Sequence, residues 1–318
     1  MSLRIPALLM LALIATGVGA QGYPNRALRV IVPYSAGTAT DVITRVVTTA
    51  LSERIRQPVV IENRLGAGGI VGMTALRQSA PDGYTLGIIV SANAVQPWLI
   101  KDLPFDIRKD FMPVTMTYSG PLVLTVPASV PAQSLPEFIS WAKANPGKVF
   151  YGSVGTGSTA HMAGELLRQS AGFDMTVVPF KGTPEVYAAM LSGNVHAAFD
   201  NYLVPKPMIE AGKLRLLAVA SRQRWARLPN VPTLWESFPG LEVVFWTGFA
   251  APPGTQKEAF DRIATEIRAV INSPDIRQRI TDTGVDAGGN SPAEFAQMIS
   301  AEVEKWGKVV HAAGMKPE

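Results

Sequence analysis

The 318-residue chain contains no cysteine, which excludes a disulfide framework, a thiolate metal site and a lipid anchor on an acylated cysteine. Histidine is almost as scarce: His161, His196 and His311 stand far apart, too few and too scattered for a zinc site. Beyond the N-terminus no apolar run approaches the roughly 20 residues of a membrane-spanning helix. Blocks of like charge are missing too. The 29 Lys and Arg and the 25 Asp and Glu are dispersed, leaving no basic footprint for nucleic acid while mildly favouring small anions. No G-x-S-x-G elbow surrounds a serine, and no cofactor is expected.

What the chain does contain is an ordinary globular composition, 47% hydrophobic with 28 glycines, over a length that suits two lobes better than one small core. The first twenty residues stand apart. Arg4 supplies a basic start, residues 7–15 an apolar run too short to span a bilayer, and Val18-Gly19-Ala20 a small-residue cleavage site. A signal peptide over 1–20, cut after Ala20, is expected, with the periplasm as destination.

From there strand and helix alternate. Residues 28–33 are apolar and β-branched, Tyr34-Ser35-Ala36-Gly37-Thr38 turns, and Val42, Val46, Ala50 and Ile55 recur as a helical stripe. A strand at 59–62, a glycine loop at 66–69, a helix to about 79, the Pro81-Asp82-Gly83 turn and a strand at 84–90 repeat the pattern. A second set starts after Pro136: helix 136–144, strand 149–152, helix 159–170, strand 176–180, a helix opened by Pro184 and closed by Gly193, and strands 196–199 and 214–220. Such alternation predicts an α/β protein of two lobes, each a mostly parallel sheet flanked by helices. Apolar runs at 122–126 and 243–250 read as two strands crossing between the lobes and forming the hinge. The tail is helical over 256–272, 274–283 and 292–313, with Ser291-Pro-Ala-Glu294 as a capping box. The expected division is lobe 1 over 21–122 plus 246–318 and lobe 2 over 123–245.

Open parallel sheets bind ligands beyond the carboxyl ends of their strands. Loops 34–40, 63–69 and 91–97 should therefore face loops 153–158, 181–183 and 200–202 across a cleft that closes on its occupant. Gly155, Thr156, Gly157 and Ser158 lead into a helix start whose unpaired N–H groups suit an anion. Either Ser158 or Thr159 is expected to cap that helix, the other turning to the ligand. Tyr34, Ser35, Ala36, Gly37, Thr38 and Ala39 make the same junction in the other lobe, with Thr40 expected as cap and Asp41 as a structural acid. Two opposed helix starts suit a dicarboxylate. Lys181, Gly182, Asp200 with Asn201, Asn93 with Gln96, and His161 are further polar candidates. Tyr34, Trp98, Phe180, Tyr202 and Trp246 are either core or a seat for an apolar ligand body. Gly66-Ala-Gly68-Gly69-Ile-Val-Gly72 has the look of a dinucleotide fingerprint, but Asn63-Arg64-Leu65 separates it from its strand and no acid ends the next strand. A helix-start turn is expected there.

Four stretches together carry a family resemblance: Val32-Pro-Tyr-Ser-Ala-Gly-Thr-Ala-Thr-Asp41, Asn63-Arg-Leu-Gly-Ala-Gly-Gly69, Tyr151-Gly-Ser-Val-Gly-Thr-Gly-Ser-Thr-Ala-His161, and Val178-Pro-Phe-Lys-Gly182 with Phe199-Asp-Asn201. They resemble the Bug-type periplasmic solute-binding proteins, the extracytoplasmic receptors of tripartite tricarboxylate transporters. The resemblance implies a type II-like Venus-flytrap fold that holds a small mono- or dicarboxylate, amino acid or aromatic acid by the two helix-start loops. It further implies delivery to membrane permease subunits and no catalysis. A sensor kinase is the alternative partner, and a hydrolytic or acyl-transfer enzyme the remaining alternative. One departure concerns the ligand: the family usually has proline-glycine-glycine in the first loop, where this chain has Ala36-Gly37-Thr38. Thr38 adds a Cβ and a hydroxyl where backbone usually approaches the ligand, and Thr44 stands where alanine is usual.

Overall fold

The computed structural model describes residues 22–312 except 156, together with 314, 315 and 317; the expected signal peptide and Thr156 lie outside the described residues. In chain order the first elements are β1 (Leu28–Val32), α1 (Ala39–Ile55), β2 (Val59–Asn63), α2 (Ile70–Arg77), β3 (Thr85–Val90), α3 (Ala92–Leu99) and β4 (Met112–Pro127). Next come α4 (Leu135–Ala144), β5 (Phe150–Ser153), α5 (Thr159–Ala171), β6 (Thr176–Pro179), α6 (Thr183–Leu191), β7 (Ala197–Asn201), α7 (Lys206–Glu210) and β8 (Leu214–Val219). The chain closes with α8 (Leu234–Ser237), β9 (Val244–Ala251), α9 (Lys257–Ile271), α10 (Pro274–Asp282), β10 (Asp286–Ala287) and α11 (Pro292–Ala312).

Two sheets share one strand order. The first runs β2-β1-β3-β9-β4, the second β6-β5-β7-β4-β8. In each, the fourth strand is antiparallel to both neighbours and the rest point one way. The two-lobed, mostly parallel α/β architecture expected from the alternation is thus present, with the fourth strand reversed in each sheet and the short β10 antiparallel to β4 at the edge of the first. The continuous apolar run of β3, buried at all six positions, is what a strand covered on both faces requires.

β4 joins the sheets. Its residues 112–121 pair with β9, and from Leu122 onward it pairs with β7 and β8. The crossing strand is therefore far longer than the run at 122–126. The return crossing is shorter than expected: Val243 still bonds the Ala220 carbonyl, whereas β9 lies wholly in the first sheet. Periodicity does not reveal where a buried strand changes its partner, so both misreadings have one cause.

Two helix expectations need correction. α1 buries Ala39, Ile43, Val47 and Leu51, while Val42 stays 40% exposed. Apolar residues recur at both i, i+4 rows, and packing against the sheet and the tail helices selects the second. Residues 92–99, taken in part as loop 91–97, form α3 despite Pro97 inside it. The buried Asn93 side chain begins this helix by accepting the Val90 amide at 2.9 Å, and proline forfeits only one of the few bonds in so short a helix. The tail helices return to the first sheet: α9 and α10 pack on α1, α11 packs on α3 and β4, and Arg54 of α1 pairs with the buried Glu266 of α9. The expected capping box opens α11, with Ser291 and Glu294 bonded reciprocally.

Candidate ligand-binding site

The starts of α1 and α5 are built to one plan. In α1 the cap is Thr38, not Thr40: its hydroxyl accepts from the Asp41 amide at 3.4 Å, and the Asp41 carboxylate reaches back to accept the Gly37 amide at 3.0 Å. In α5 the cap is Ser158, whose hydroxyl accepts from the His161 amide at 3.1 Å, and His161 Nδ1 accepts the Gly157 amide at 3.1 Å. Acceptance at Nδ1 leaves the ring proton on Nε2. Gly37 at φ 84°, Gly155 at φ 102° and Gly157 at φ 76° supply the left-handed turns that feed both helices. With the third amide of each helix satisfied by its cap, the Ala39 and Thr40 amides in one lobe and the Thr159 and Ala160 amides in the other have no intrahelical acceptor. Each pair carries the positive end of a helix dipole.

Asp41 is the structural acid it was expected to be. Burial works against its charge, but bonds from Arg45, from Asn63 and from the Gly37 amide outweigh it and hold its pKa below the usual carboxylate value. Asn63 also donates to the Tyr34 carbonyl, so one amide ties the end of β2 to the first loop. Ser35 and Ala36 are exposed, and the Ser35 carbonyl accepts both the amide and the hydroxyl of Thr38. The departing threonine thus spends its hydroxyl inside its own loop.

Other candidates take different places. Asn93 is fully buried and uses both ends of its amide on Val90 and Gln96, and Gln96 in turn donates to the Gly68 carbonyl. This relay stiffens the wall formed by α3 and the glycine loop, whose residues 67–69 make the expected helix-start turn. The Lys181 amide donates to Glu185, and Gly182 caps α6. Asp200 and Asn201 end β7 instead of following it. Asp200 keeps part of its surface open, yet burial pushes its carboxyl up to about 7, against the bond its Oδ1 accepts from the Asn201 amide at 2.8 Å. Trp246 packs on Phe295, and Trp98 donates to the Val303 carbonyl, which makes both of them core.

Sequence reasoning does not find Tyr118, in the middle of β4, whose hydroxyl lies 3.3 Å from that of Thr40. Burial pushes the phenols of Tyr34 and Tyr118 up to about 12, so both remain neutral donors at the lobe 1 wall. Strand alternation alone does not distinguish such a residue from core. The expected choice between Ser158 and Thr159 is also resolved: Ser158 caps, and Thr159 turns to Ser91 rather than toward the cleft.

Two sheets of one strand order, joined by the shared strand β4 and each carrying a helix start of the same build, define a two-lobed solute-binding protein of the periplasmic kind. Periplasmic binding protein BugD superposes with a TM-score of 0.87 at 27% identity, covering 93% of this chain and 100% of BugD. An R. palustris protein solved with adipate superposes at TM-score 0.88 and 33% identity, over 93% of this chain and all of that one. Residues 43–315 match the tripartite tricarboxylate transporter family receptor, TctC, and BugT of Bordetella pertussis is 33% identical over 306 residues, 95% of this chain and 94% of BugT. The chain belongs to this receptor family, a family of solute-binding proteins and not of enzymes. Among the described residues no helix is long and apolar enough to cross a membrane.

Proposed function

We propose that this protein is exported to the periplasm after cleavage behind Ala20, binds a small carboxylate between its lobes and hands it to the permease subunits of a tripartite tricarboxylate transporter. The observation that carries the reading is the matched pair of helix starts, where the Ala39 and Thr40 amides of one and the Thr159 and Ala160 amides of the other have no acceptor within their helix. Two anion seats facing each other suit a ligand charged at both ends. The relatives support this choice: one neighbour was solved with adipate, and MatC of Rhodopseudomonas palustris, 30% identical over 91% of this chain at TM-score 0.82, was solved with malate. Tyr34 to Ala39, Gly155 to Ser158, His161, Lys181, Gly182 and Asp200 are the proposed lining, with Asn93 as wall. The shift of β4 from one sheet to the other after Pro121 supports the division into lobe 1, 21–122 plus 246–318, and lobe 2, 123–245.

Titration calorimetry against a panel holding adipate, malate, citrate, nicotinate and acidic amino acids tests the reading. One compound is expected to bind with 1:1 stoichiometry, and Ser158→Trp, which fills the lobe 2 seat, is expected to abolish that binding while leaving the circular dichroism spectrum intact. Silence of the folded protein across the whole panel would sink the assignment.

A further inference from the structure

Ser91 and Thr159 occupy positions where a hydroxyl ordinarily serves its own helix. Ser91 immediately precedes α3, yet makes no side-chain cap bond; its backbone is helical, at φ −53° and ψ −32°, which turns the hydroxyl away from the amides it would cap. Thr159 is the first residue of α5, a helix already capped by Ser158. The two hydroxyls meet each other instead, 2.8 Å apart, with Ser91 3% and Thr159 7% exposed. One belongs to the end of β3 in the first sheet, the other to the helix that follows β5 in the second. Around them the lobes are in contact: a Cβ placed on Gly157 would lie 3.8 Å from Leu99 and 3.9 Å from Gln96, both on α3.

We infer that Ser91 and Thr159 form a latch between the lobes, a positioning pair that sets the ratio of closed to open protein before any ligand arrives and thereby scales the apparent affinity. Separating the lobes exchanges this buried bond for bonds to water. The net preference for the closed form is that of one intramolecular hydrogen bond, roughly three- to tenfold in population. Because a ligand gripped by both lobes binds only the closed form, its apparent dissociation constant rises in proportion as the closed fraction falls. The inference rests on the two-lobed closure described above, but not on the identity of the ligand.

The absence of cysteine makes the test direct. Glu53→Cys on α1 and Lys143→Cys on α4, both exposed, place one spin label on each lobe, and pulsed electron double resonance reads their separation in ligand-free protein. Wild type is expected to show a closed population that falls roughly three- to tenfold, relative to the open one, in Ser91→Ala and in Thr159→Val. Thr159→Ser, which keeps the hydroxyl, should retain the wild-type ratio, and the double variant should open no further than the more open single one. Identical distance distributions in all variants, full additivity in the double variant, or a ligand-free wild type that is wholly open would overturn the latch. Adding malate or adipate forms a separate arm: failure of both to close the labelled protein counts against the proposed ligand class and leaves the ligand-free comparison to decide the latch.

Discussion

Asp41 and His161 hold the same place in two helices, three residues past the cap and reaching back to a glycine amide, but they do so with different chemistry. Asp41 is charged and tied to Arg45 and Asn63; His161 accepts as a neutral ring. Asp41→Ala leaves the Gly37 amide and the Arg45 guanidinium without their acceptor and is expected to cost about 1–3 kcal/mol in urea denaturation. Because its folded pKa is lowered, that contribution is present above the unfolded carboxylate range and disappears as pH falls through the folded value. Asp200 has the opposite sign. Its folded pKa is raised to about 7, so the native state holds a proton that the unfolded chain releases, and the contribution of Asp200 to stability is fully present below about pH 4 and is lost as pH rises toward 7. Asp200→Asn should abolish that decline, read as thermal midpoints from pH 4 to 8; an unchanged slope would show that Asp200 titrates normally. The residue types at both helix starts were legible in the sequence. The partner of each hydroxyl was not, since Thr38 and Thr40, or Ser158 and Thr159, are chemically equivalent until the backbone fixes which one points at the third amide.

β9 carries a clear example of what an element needs from its neighbours. A Cβ on Gly248 would fall 2.3 Å from the Phe295 ring of α11 and 2.6 Å from the Thr115 carbonyl of β4. Glycine is therefore the condition for α11 to close on the sheet, and Gly248→Ala is expected to destabilise the fold by about 1–3 kcal/mol in chemical denaturation. Gly164 plays a similar part in α5, where the Tyr151 ring occupies the space of a side chain, 2.6 Å from its Cβ position. The Tyr151 hydroxyl bonds the Ala160 carbonyl and so supports the first turn of α5 from below. Long, strongly periodic elements such as α9 and α11 were readable from the chain alone. α3 was not, because eight residues with an internal proline carry no decisive pattern, and the side-chain bonds that build it join residues 93, 96 and 68 only after folding.

The segments of the two sheets also meet beside β4 at a second place. Arg227, in the segment after β8, donates to the Val285 carbonyl at 3.2 Å, and Tyr202 lies over Gly284. A cavity of about 420 Å³ beside them is lined from both sheets, by Ser119 and Asp286 on one side and Arg222, Trp225 and Glu242 on the other. Arg227→Ala should speed amide exchange over 284–287 while moving the thermal midpoint by less than about 2 °C; protected exchange there would show that this contact does not open. A cognate ligand at a hundred times its dissociation constant should add about 2.7 kcal/mol to unfolding of the intact protein. The linear order of residues by itself determined the two α/β halves, the helix-start loops and the family, because apolar periodicity, glycine turns and capping chemistry act over a few neighbours. Only the tertiary structure decided that β4 serves both sheets, that α1 buries Ile43 rather than Val42, and that Thr159 answers Ser91. Each of those outcomes depends on which distant surface comes to lie opposite, and residues that are locally equivalent become distinct only when one of them meets a partner.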